Sequence, residues 1–276
     1  MSWRLYVDIG NSAVKYGARQ NGEWVSLDAI DHVLGRGSLD DLPLEAAADL
    51  ELPGATPEEI IEVLDEFLAQ DGLDLKQCSG LGVSCTCDAA AGLVKLLARL
   101  APCPLKLVGK HLKPSLKTEY RKPSEIGADR WANVVAAVEL HGTPVVVIDA
   151  GTCLTSEVVT RDGVFVGGCI ALGMLPLSLG MALVSEKLAE ATMRGLEDED
   201  PPLVGRSTTE AIHAGLALQM VAAADRFAQE GLQAVGDGAL VVTGGGADLF
   251  LQYTCLSAVH EPLLTLEGIR LMDHYA

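Results

Sequence analysis

The pattern of apolar positions divides the chain into short strands and amphipathic helices. Residues 3–9 alternate in polarity and run into Asp8-Ile9-Gly10, which predicts a strand followed by a glycine-bearing turn. Residues 14–28 are expected to return as a hairpin, because Asn21-Gly22 is a strong two-residue turn signal. Further strands are predicted at 81–84, 105–108, 144–148 and 239–242.

Capping signals mark the helices. Thr56-Pro57-Glu58-Glu59 is a capping box with proline at the first helical position, and an apolar helical face follows it. Ser207-Thr208-Thr209-Glu210 is a second capping box. The predicted helices are one beginning at Thr56, one over 89–100, one capped by Ser124 and ending near Leu140, and one from Ser207 to Gly231.

A repeated motif indicates the fold class. Asp8-Ile9-Gly10-Asn11 and Asp149-Ala150-Gly151-Thr152 each follow an apolar strand and lie about half a chain apart. A repeated strand and Asp-x-Gly turn predicts an α/β protein of two similar halves that face each other across a cleft. The basic, proline-bearing residues 109–123 are interpreted as the connection, which gives domains of residues 1–116 and 117–276.

Residues 163–185 carry no charge and are long enough to span a bilayer. The glycines and Pro176 within them break the run into strand, turn and helix pieces, so we expect buried structure in a non-membrane protein.

Charge and cysteine usage narrow the classes of partner. The net charge is −18, which disfavours nucleic acid and anionic membranes as partners. The seven cysteines form no CxxC pair, so neither a disulfide framework nor a zinc site is indicated. Reduced thiols and the lack of a signal-peptide pattern at the N-terminus predict a cytoplasmic protein.

The first turn has the residues of a phosphate site. Glycine turns at strand ends expose N–H groups to phosphate oxygens, and a carboxylate such as that of Asp8 suits Mg²⁺. Asn11 and Ser12 add neutral donors, and Lys15 adds the positive charge that an acidic protein lacks elsewhere. The alternative is a simple β-turn with a solvated lysine.

The second turn and a third glycine turn fit the same chemistry. Asp149 follows four aliphatic residues, so its buried carboxylate needs a partner, for which a cation is one choice and a helix cap another. Thr152 and Thr155 offer hydroxyls to phosphate. Thr243-Gly244-Gly245-Gly246 follows the last core strand and suits the flat approach of an adenine or ribose.

Gly127-Ala128-Asp129-Arg130 near a helix start places a carboxylate beside a guanidinium. Asp129 is suited to orienting a hydroxyl, with an ordinary pKa near ~3.9, and Arg130 to binding a carboxylate through two hydrogen bonds. The alternative is a surface ion pair.

Together these motifs resemble one family. DIGNSAVK, Tyr120 followed by GADRW, DAGTCLT, GGCIALG, STTEAIHAG and TGGGAD occur in the order typical of type III pantothenate kinases. The resemblance implies a duplicated ribonuclease-H-like fold of the actin-like ATPase superfamily and a homodimer. It implies phosphorylation of pantothenate by ATP, the first step of coenzyme A biosynthesis, with Mg²⁺ and a monovalent cation, K⁺ or NH₄⁺.

The resemblance also implies roles for individual residues. Asp129 is the expected catalytic carboxylate, and Asp149 is the expected monovalent-cation ligand. The expected ATP contacts are Asp8, Ile9, Gly10, Asn11, Ser12, Ala13, Val14, Lys15 and Thr152. The expected pantothenate contacts are Tyr120, Gly127, Ala128, Asp129, Arg130 and Thr208.

Two departures from the family pattern and two other functions stay open at this point. Ser12 stands where threonine is usual, and Leu172 stands where proline is frequent. The alternatives are another small-molecule kinase or phosphohydrolase of the superfamily, and a non-catalytic nucleotide-binding regulator.

Overall fold

The first sheet grows outward from an N-terminal hairpin. The computed structural model of the protein describes residues 2–31, 55–195 and 203–274. The strands of the first sheet are β1 (Trp3–Ile9), β2 (Ala13–Gln20), β3 (Glu23–Asp31), β4 (Leu81–Cys85) and β5 (Leu105–Leu107). Asn21 and Gly22 join β2 to β3 with φ values of 54° and 90°, as the turn signal predicts. The strand order is β3-β2-β1-β4-β5.

The central strands of the second sheet repeat the arrangement of the first sheet. Its strands are β6 (Lys117–Thr118), β7 (Val145–Ala150), β8 (Cys153–Val159), β9 (Val164–Gly167), β10 (Ile170–Leu172), β11 (Ala239–Thr243) and β12 (Val259–His260). The order is β12-β11-β7-β8-β9-β6, and β10 pairs with β8.

The two sheets are duplicates in order and direction. In each, the strand that carries the aspartate, β1 or β7, pairs antiparallel with the next strand and parallel with a later one. Asp8 lies between Lys15 and Ser84 in the first sheet. Asp149 occupies the same place in the second sheet, between Thr155 and Thr243. The two similar α/β halves expected from the repeated motif are therefore present.

Eight helices within the described residues cover the sheets. They are α1 (Pro57–Gln70), α2 (Ala91–Leu100), α3 (Ala128–His141), α4 (Met174–Ala182), α5 (Glu186–Gly195), α6 (Thr208–Val235), α7 (Ala247–Tyr253) and α8 (Leu264–His274). The Thr56 capping box is present, with Thr56 accepting from the Glu59 N–H and Glu59 accepting from the Thr56 N–H. Across the described parts of the chain, no helix is both long and apolar enough to span a bilayer.

The predicted start of α3 was wrong. Ser124 lies in a separate 3₁₀ turn over Pro123–Glu125, and α3 begins only at Ala128. Ile126 is extended, with ψ at 124°, and its buried side chain packs into the core between the sheets. Because Gly127 is also extended, the helix cannot begin earlier, and Asp129 falls in its first turn.

The predicted end of α6 was also wrong. Gly231 is inside the helix and faces β7 and β8, where a Cβ would meet Val146 and Val158 at 2.9 and 3.1 Å. The absence of a side chain at Gly231 therefore lets α6 pack closely against the sheet. Helix α6 ends at Gly236, which has a positive φ of 78°.

The C-terminal helix ties the two halves together. On α8, the Asp273 side chain is 1% exposed and pairs with Lys106 at 2.9 Å and Arg4 at 3.2 Å, both in the first sheet. The Trp24 indole donates to Glu267 on the same helix at 2.6 Å. Burial raises the pKa of Tyr6 to about 12, and Asp273 beside it adds to the rise.

We expect Asp273→Ala to lower the free energy of unfolding by about 1–3 kcal/mol, because Tyr6 is left without an acceptor and the bridge between halves is lost. Urea titration measures the free energy of unfolding of wild type and variant. Glu125→Ala is the control, since its ion pair with Lys122 is exposed and should change stability by about 0.5 kcal/mol or less. Equal effects of the two variants would contradict the bridging role of α8.

Candidate active site

The two Asp-x-Gly turns are similar in local structure. Each follows the central strand of its sheet, and each glycine N–H donates back across the turn. Gly10 donates to the Ala13 carbonyl at 3.0 Å, and Gly151 donates to the Cys153 carbonyl at 3.1 Å. The aspartate therefore lies at the end of its strand and its side chain faces the turn.

The two turns meet. Thr152 Oγ1 donates to Ser12 Oγ at 2.8 Å, which joins the turn of the first sheet to that of the second. Lys15, opposite Asp8 in the first hairpin, is close enough to Asp149 to lower its pKa. The predicted convergence of the two aspartate turns on one cleft is confirmed.

Three carboxylates share this cleft. Burial raises the pKa of Asp8 to about 7, and repulsion from Asp129 is the next largest cause. Burial also raises the pKa values of Asp129 and Asp149. Asp149 adds to the rise at Asp129, whereas the Arg130 N–H lowers it. The ordinary pKa that the sequence predicted for Asp129 was wrong, because the sequence alone gives neither its burial nor its acidic neighbour.

The third glycine turn closes around Asp149. Gly244 has a φ of 92°, and a Cβ there would clash with Asp149 Oδ1 and the Ala150 backbone. The Gly246 N–H donates to the Ala150 carbonyl at 2.8 Å. Asp149 Oδ1 therefore lies against the backbone of Gly151 and Gly244.

Asp129 reaches the cleft from the first turn of α3. The Arg130 N–H donates to Asp129 Oδ1 at 2.7 Å, and the N-terminus of a helix favours negative charge. A Cβ on Gly127 would clash with the same oxygen, so glycine is required beside it. Thr86, just after β4 of the first sheet, lies against Gly127.

Arg130 is buried in an ion pair that the sequence did not predict. Its side chain donates from Nε to Glu157 Oε1 at 2.7 Å, from Nη2 to the Ser156 carbonyl at 3.1 Å and from Nη1 to the Tyr120 hydroxyl at 3.1 Å. It is 5% exposed, so the alternative of a surface ion pair was wrong. The available signal was Glu157 itself, an acidic residue inside the apolar strand CLTSEVV.

Glu157 is the other buried acid near the site. Burial raises its pKa to about 7, although the charge of Arg130 opposes the rise. Glu157 Oε2 is buried without a hydrogen-bond partner. Asn133 was also missed, because an asparagine in a helix carries no pattern signal; its amide donates to Asp149 Oδ2 at 2.8 Å.

Thr208 lies apart from this group of side chains. It is exposed at the first position of α6, where Ser207 Oγ accepts from the Glu210 N–H at 3.2 Å as the second capping box predicts. Glu210 in turn accepts from the Arg206 N–H at 2.6 Å.

The carboxylate oxygens of the cleft suit cations that enter together with a phosphate ligand. Within the described residues no group of three or more His, Cys, Asp or Glu side chains forms a metal site. Asp8 Oδ1, however, is buried without a hydrogen-bond partner, and Asp149 Oδ1 lies against the backbone of Gly151 and Gly244. Mg²⁺ is commonly held by one or two carboxylates together with water and substrate phosphates, so these atoms fit that mode.

Comparison with known proteins decides the family. The family model described as type III pantothenate kinase matches residues 4–230. The chain belongs to the type III pantothenate kinase family. Kinases of this family phosphorylate pantothenate in the first step of coenzyme A biosynthesis, which decides among the functions that the sequence left open.

Relatives of the kinase match over nearly their whole length. The chain is 30% identical to a type III pantothenate kinase of Thermobifida fusca over 277 residues, which cover 97% of each chain. It is 30% identical to one from a Roseiflexus species over 271 residues, again 97% of each.

Solved structures show the fold. A chain described as a conserved Baf family transcriptional activator from Campylobacter jejuni superposes with a TM-score of 0.57 at 15% identity, covering 98% of both chains. Component A of (R)-2-hydroxyglutaryl-CoA dehydratase from Acidaminococcus fermentans gives 0.51 at 14% identity and covers 100% and 98%. The kinase therefore shares the fold of these two structures, and its two similar α/β halves are as expected.

The pKa of Asp8 predicts a pH effect on stability. Because its native pKa is raised above the unfolded value near ~3.9, its contribution to stability is fully present below pH ~4 and is lost as pH rises through about 7. We expect ligand-free Asp8→Asn to exceed wild type in stability at pH 8 by on the order of 1–3 kcal/mol, and by less at pH 5.

Urea titrations at both pH values measure this difference. Asp162→Asn is the control, since Asp162 is exposed in a hairpin turn and its replacement should not alter the pH dependence. Parallel stability curves for wild type and Asp8→Asn would contradict the burial of an ionisable Asp8.

Proposed function

We propose that this kinase transfers the γ-phosphoryl group of ATP to the terminal hydroxyl of pantothenate in the cleft where the two Asp-x-Gly turns meet. The hydrogen bond from Thr152 to Ser12 carries the proposal, because it brings both turns to one place. One triphosphate there can contact both halves of the molecule at once.

The first turn is the proposed phosphate site. Residues 8–15 offer backbone N–H groups, the hydroxyl of Ser12 and the ammonium of Lys15, and Thr152 adds a hydroxyl from the opposite half. The cleft holds three buried carboxylates, so an added triphosphate needs positive charge beyond that of Lys15. We propose that Mg²⁺ accompanies ATP and is held by Asp8, directly or through water; when bound, it neutralises phosphate charge.

Asp129 is the proposed catalytic carboxylate. Its oxygen is fixed by the Arg130 N–H, and burial has raised its pKa, which makes it a stronger base than an exposed aspartate. It would orient the pantothenate hydroxyl toward the γ-phosphorus and accept its proton as the new bond forms.

Asp149 is the proposed ligand of a monovalent cation, K⁺ or NH₄⁺. The support is that Asp149 Oδ1 lies against the backbone of Gly151 and Gly244, in a turn that also contacts Ser12 of the proposed phosphate site through Thr152. Carbonyl oxygens and one carboxylate suit a weakly hydrated monovalent ion. When bound, such an ion offsets repulsion between the phosphates and the acidic cleft.

Tyr120, Gly127, Ala128, Arg130 and Thr208 are the proposed contacts for pantothenate. Three of the five N–H donors of Arg130 are already used within the protein, so at most one on each terminal nitrogen remains for the substrate. We therefore propose that Arg130 acts chiefly by holding the Tyr120 hydroxyl, rather than by the two-pronged grip expected from the sequence.

A homodimer is part of the proposal. Exposed apolar side chains lie on neighbouring elements of the second half, namely Ile170 and Leu172 on β10, Val184 after α4 and Val204 before α6. Exposed Thr208 begins α6 in the same region. A cytoplasmic location is proposed as well, and its support is that the cysteines are present as thiols rather than as disulfides.

The reaction is tested by coupled ADP release from ATP·Mg²⁺, with and without pantothenate. We expect pantothenate-dependent ADP formation and a phosphorylated product of matching mass. ADP release that does not depend on pantothenate would refute the proposed reaction.

We expect Asp129→Asn to lower kcat by ~10²-fold or more, because the amide cannot accept the hydroxyl proton. The same ADP assay at saturating substrates measures it, and Asp162→Asn serves as an exposed control. Turnover of Asp129→Asn near that of wild type would contradict the assigned role.

We expect activity to require K⁺ or NH₄⁺ and to fall when Na⁺ replaces them at constant ionic strength. The reason is that the space at Asp149 selects by ion size and coordination rather than by charge alone. Initial rates over a K⁺ titration give the half-saturating concentration. Equal rates in K⁺ and Na⁺ would remove the cation from the mechanism.

A further inference from the structure

One face of α3 supplies two groups to the cleft. Asn133 lies four residues after Asp129, one helical turn further along, so both side chains project from the same side of the helix. Asn133 is fully buried, and its Nδ2 donates to Asp149 Oδ2 at 2.8 Å. Asp149, which lies on β7, is therefore held by a side chain of α3.

The orientation of the Asn133 amide is fixed by a second hydrogen bond. Thr265 Oγ1, on α8, donates to Asn133 Oδ1 at 2.8 Å. An ionised carboxylate only accepts, so the amide nitrogen must face Asp149 and the amide oxygen must face Thr265. The hydroxyl of Thr265 can donate, which makes the chain from Thr265 through Asn133 to Asp149 consistent in every donor and acceptor.

A close helix crossing places Thr265 within reach. Gly268, one turn after Thr265 on α8, lies so near α3 that a Cβ would clash with the Ala132 carbonyl. Ala132 directly precedes Asn133. The absence of a side chain at Gly268 therefore lets the backbones approach where the hydrogen bond forms.

We infer that Asn133 and Thr265 are positioning residues for the cation site at Asp149. By fixing Oδ2, they hold Oδ1 against the backbone of Gly151 and Gly244, where the cation is proposed to bind. The inference rests on the proposed cation role of Asp149 and extends it to two residues that do not touch substrate. Groups that orient a metal ligand typically change metal affinity by 10–100-fold when removed.

The test compares Thr265→Val with wild type. Valine keeps the shape of threonine but removes the hydroxyl, so the Asn133 amide is no longer fixed. We expect the half-saturating K⁺ concentration to rise by about 10-fold or more, with a much smaller effect on kcat at saturating K⁺. Thr265→Ser restores a hydroxyl and should recover K⁺ affinity near that of wild type.

A second readout avoids turnover. The rise in Tm on adding K⁺, at constant ionic strength and with a non-hydrolysable ATP analogue and Mg²⁺, reports cation binding directly. We expect this rise to need higher K⁺ in Thr265→Val. Gly268→Ala pushes α8 away from α3 without replacing any of the three polar side chains. It should also raise the K⁺ concentration that is needed for the rise in Tm.

Thr254→Val is the matched control. Thr254, the residue that follows α7, also donates from Oγ1 to a side chain on another helix, Asp225 Oδ1 at 2.5 Å, and this hydrogen bond involves none of the residues that hold Asp149. Loss of a helix-bridging hydroxyl there should lower Tm without changing the K⁺ requirement.

The outcomes distinguish the positioning role of Asn133 and Thr265 from the cation site and from the proposed reaction. If wild type depends on K⁺ but Thr265→Val and Thr254→Val have the same half-saturating K⁺ concentration, the positioning role alone is overturned. Wild type active on pantothenate without any K⁺ dependence would overturn both the cation site and its positioning residues. An absence of pantothenate phosphorylation would refute the proposed reaction.

Discussion

Three aspartates in one partly closed cleft repel one another, and the site is organised around that repulsion. Burial and the charges of the other two aspartates raise the pKa of Asp8 to about 7, burial and Asp149 raise that of Asp129, and burial raises that of Asp149. Lys15 lowers the pKa values of Asp8 and Asp149. Such a cluster suits a protein whose substrate arrives with Mg²⁺, because bound cations relieve the repulsion while the phosphates use the N–H groups of the turns.

Duplication of the fold explains how the acids meet. Each half ends its central strand in the same Asp-x-Gly turn, and the two turns touch through Thr152 and Ser12. Helix α3 then inserts Asp129 between them from its first turn. The same helix carries Asn133, so the proposed catalytic carboxylate and the support of the proposed cation ligand move as one rigid unit.

Buried polar chains connect this cleft to the rest of the molecule. Arg130 links Glu157 on β8 to Tyr120, and its guanidinium lies over the Tyr120 ring at the proposed acceptor side. Thr265 links the cation side to α8, and α8 is bound to the first sheet through Asp273. The helix that joins the two halves is therefore also in contact with the groups that orient the site.

The sequence determined what is local. Strand periodicity, the Asn21-Gly22 turn, the Thr56 cap and the repeated Asp-x-Gly turns each depend on neighbours in the chain, and each was predicted correctly. Only the tertiary structure decided how distant groups pair and how deeply they are buried. The commitment of Arg130 to Glu157, the support of Asp149 by Asn133 and Thr265, and the raised pKa of Asp129 all arise from side chains on different elements, and hydrogen bonding and desolvation depend on that three-dimensional proximity.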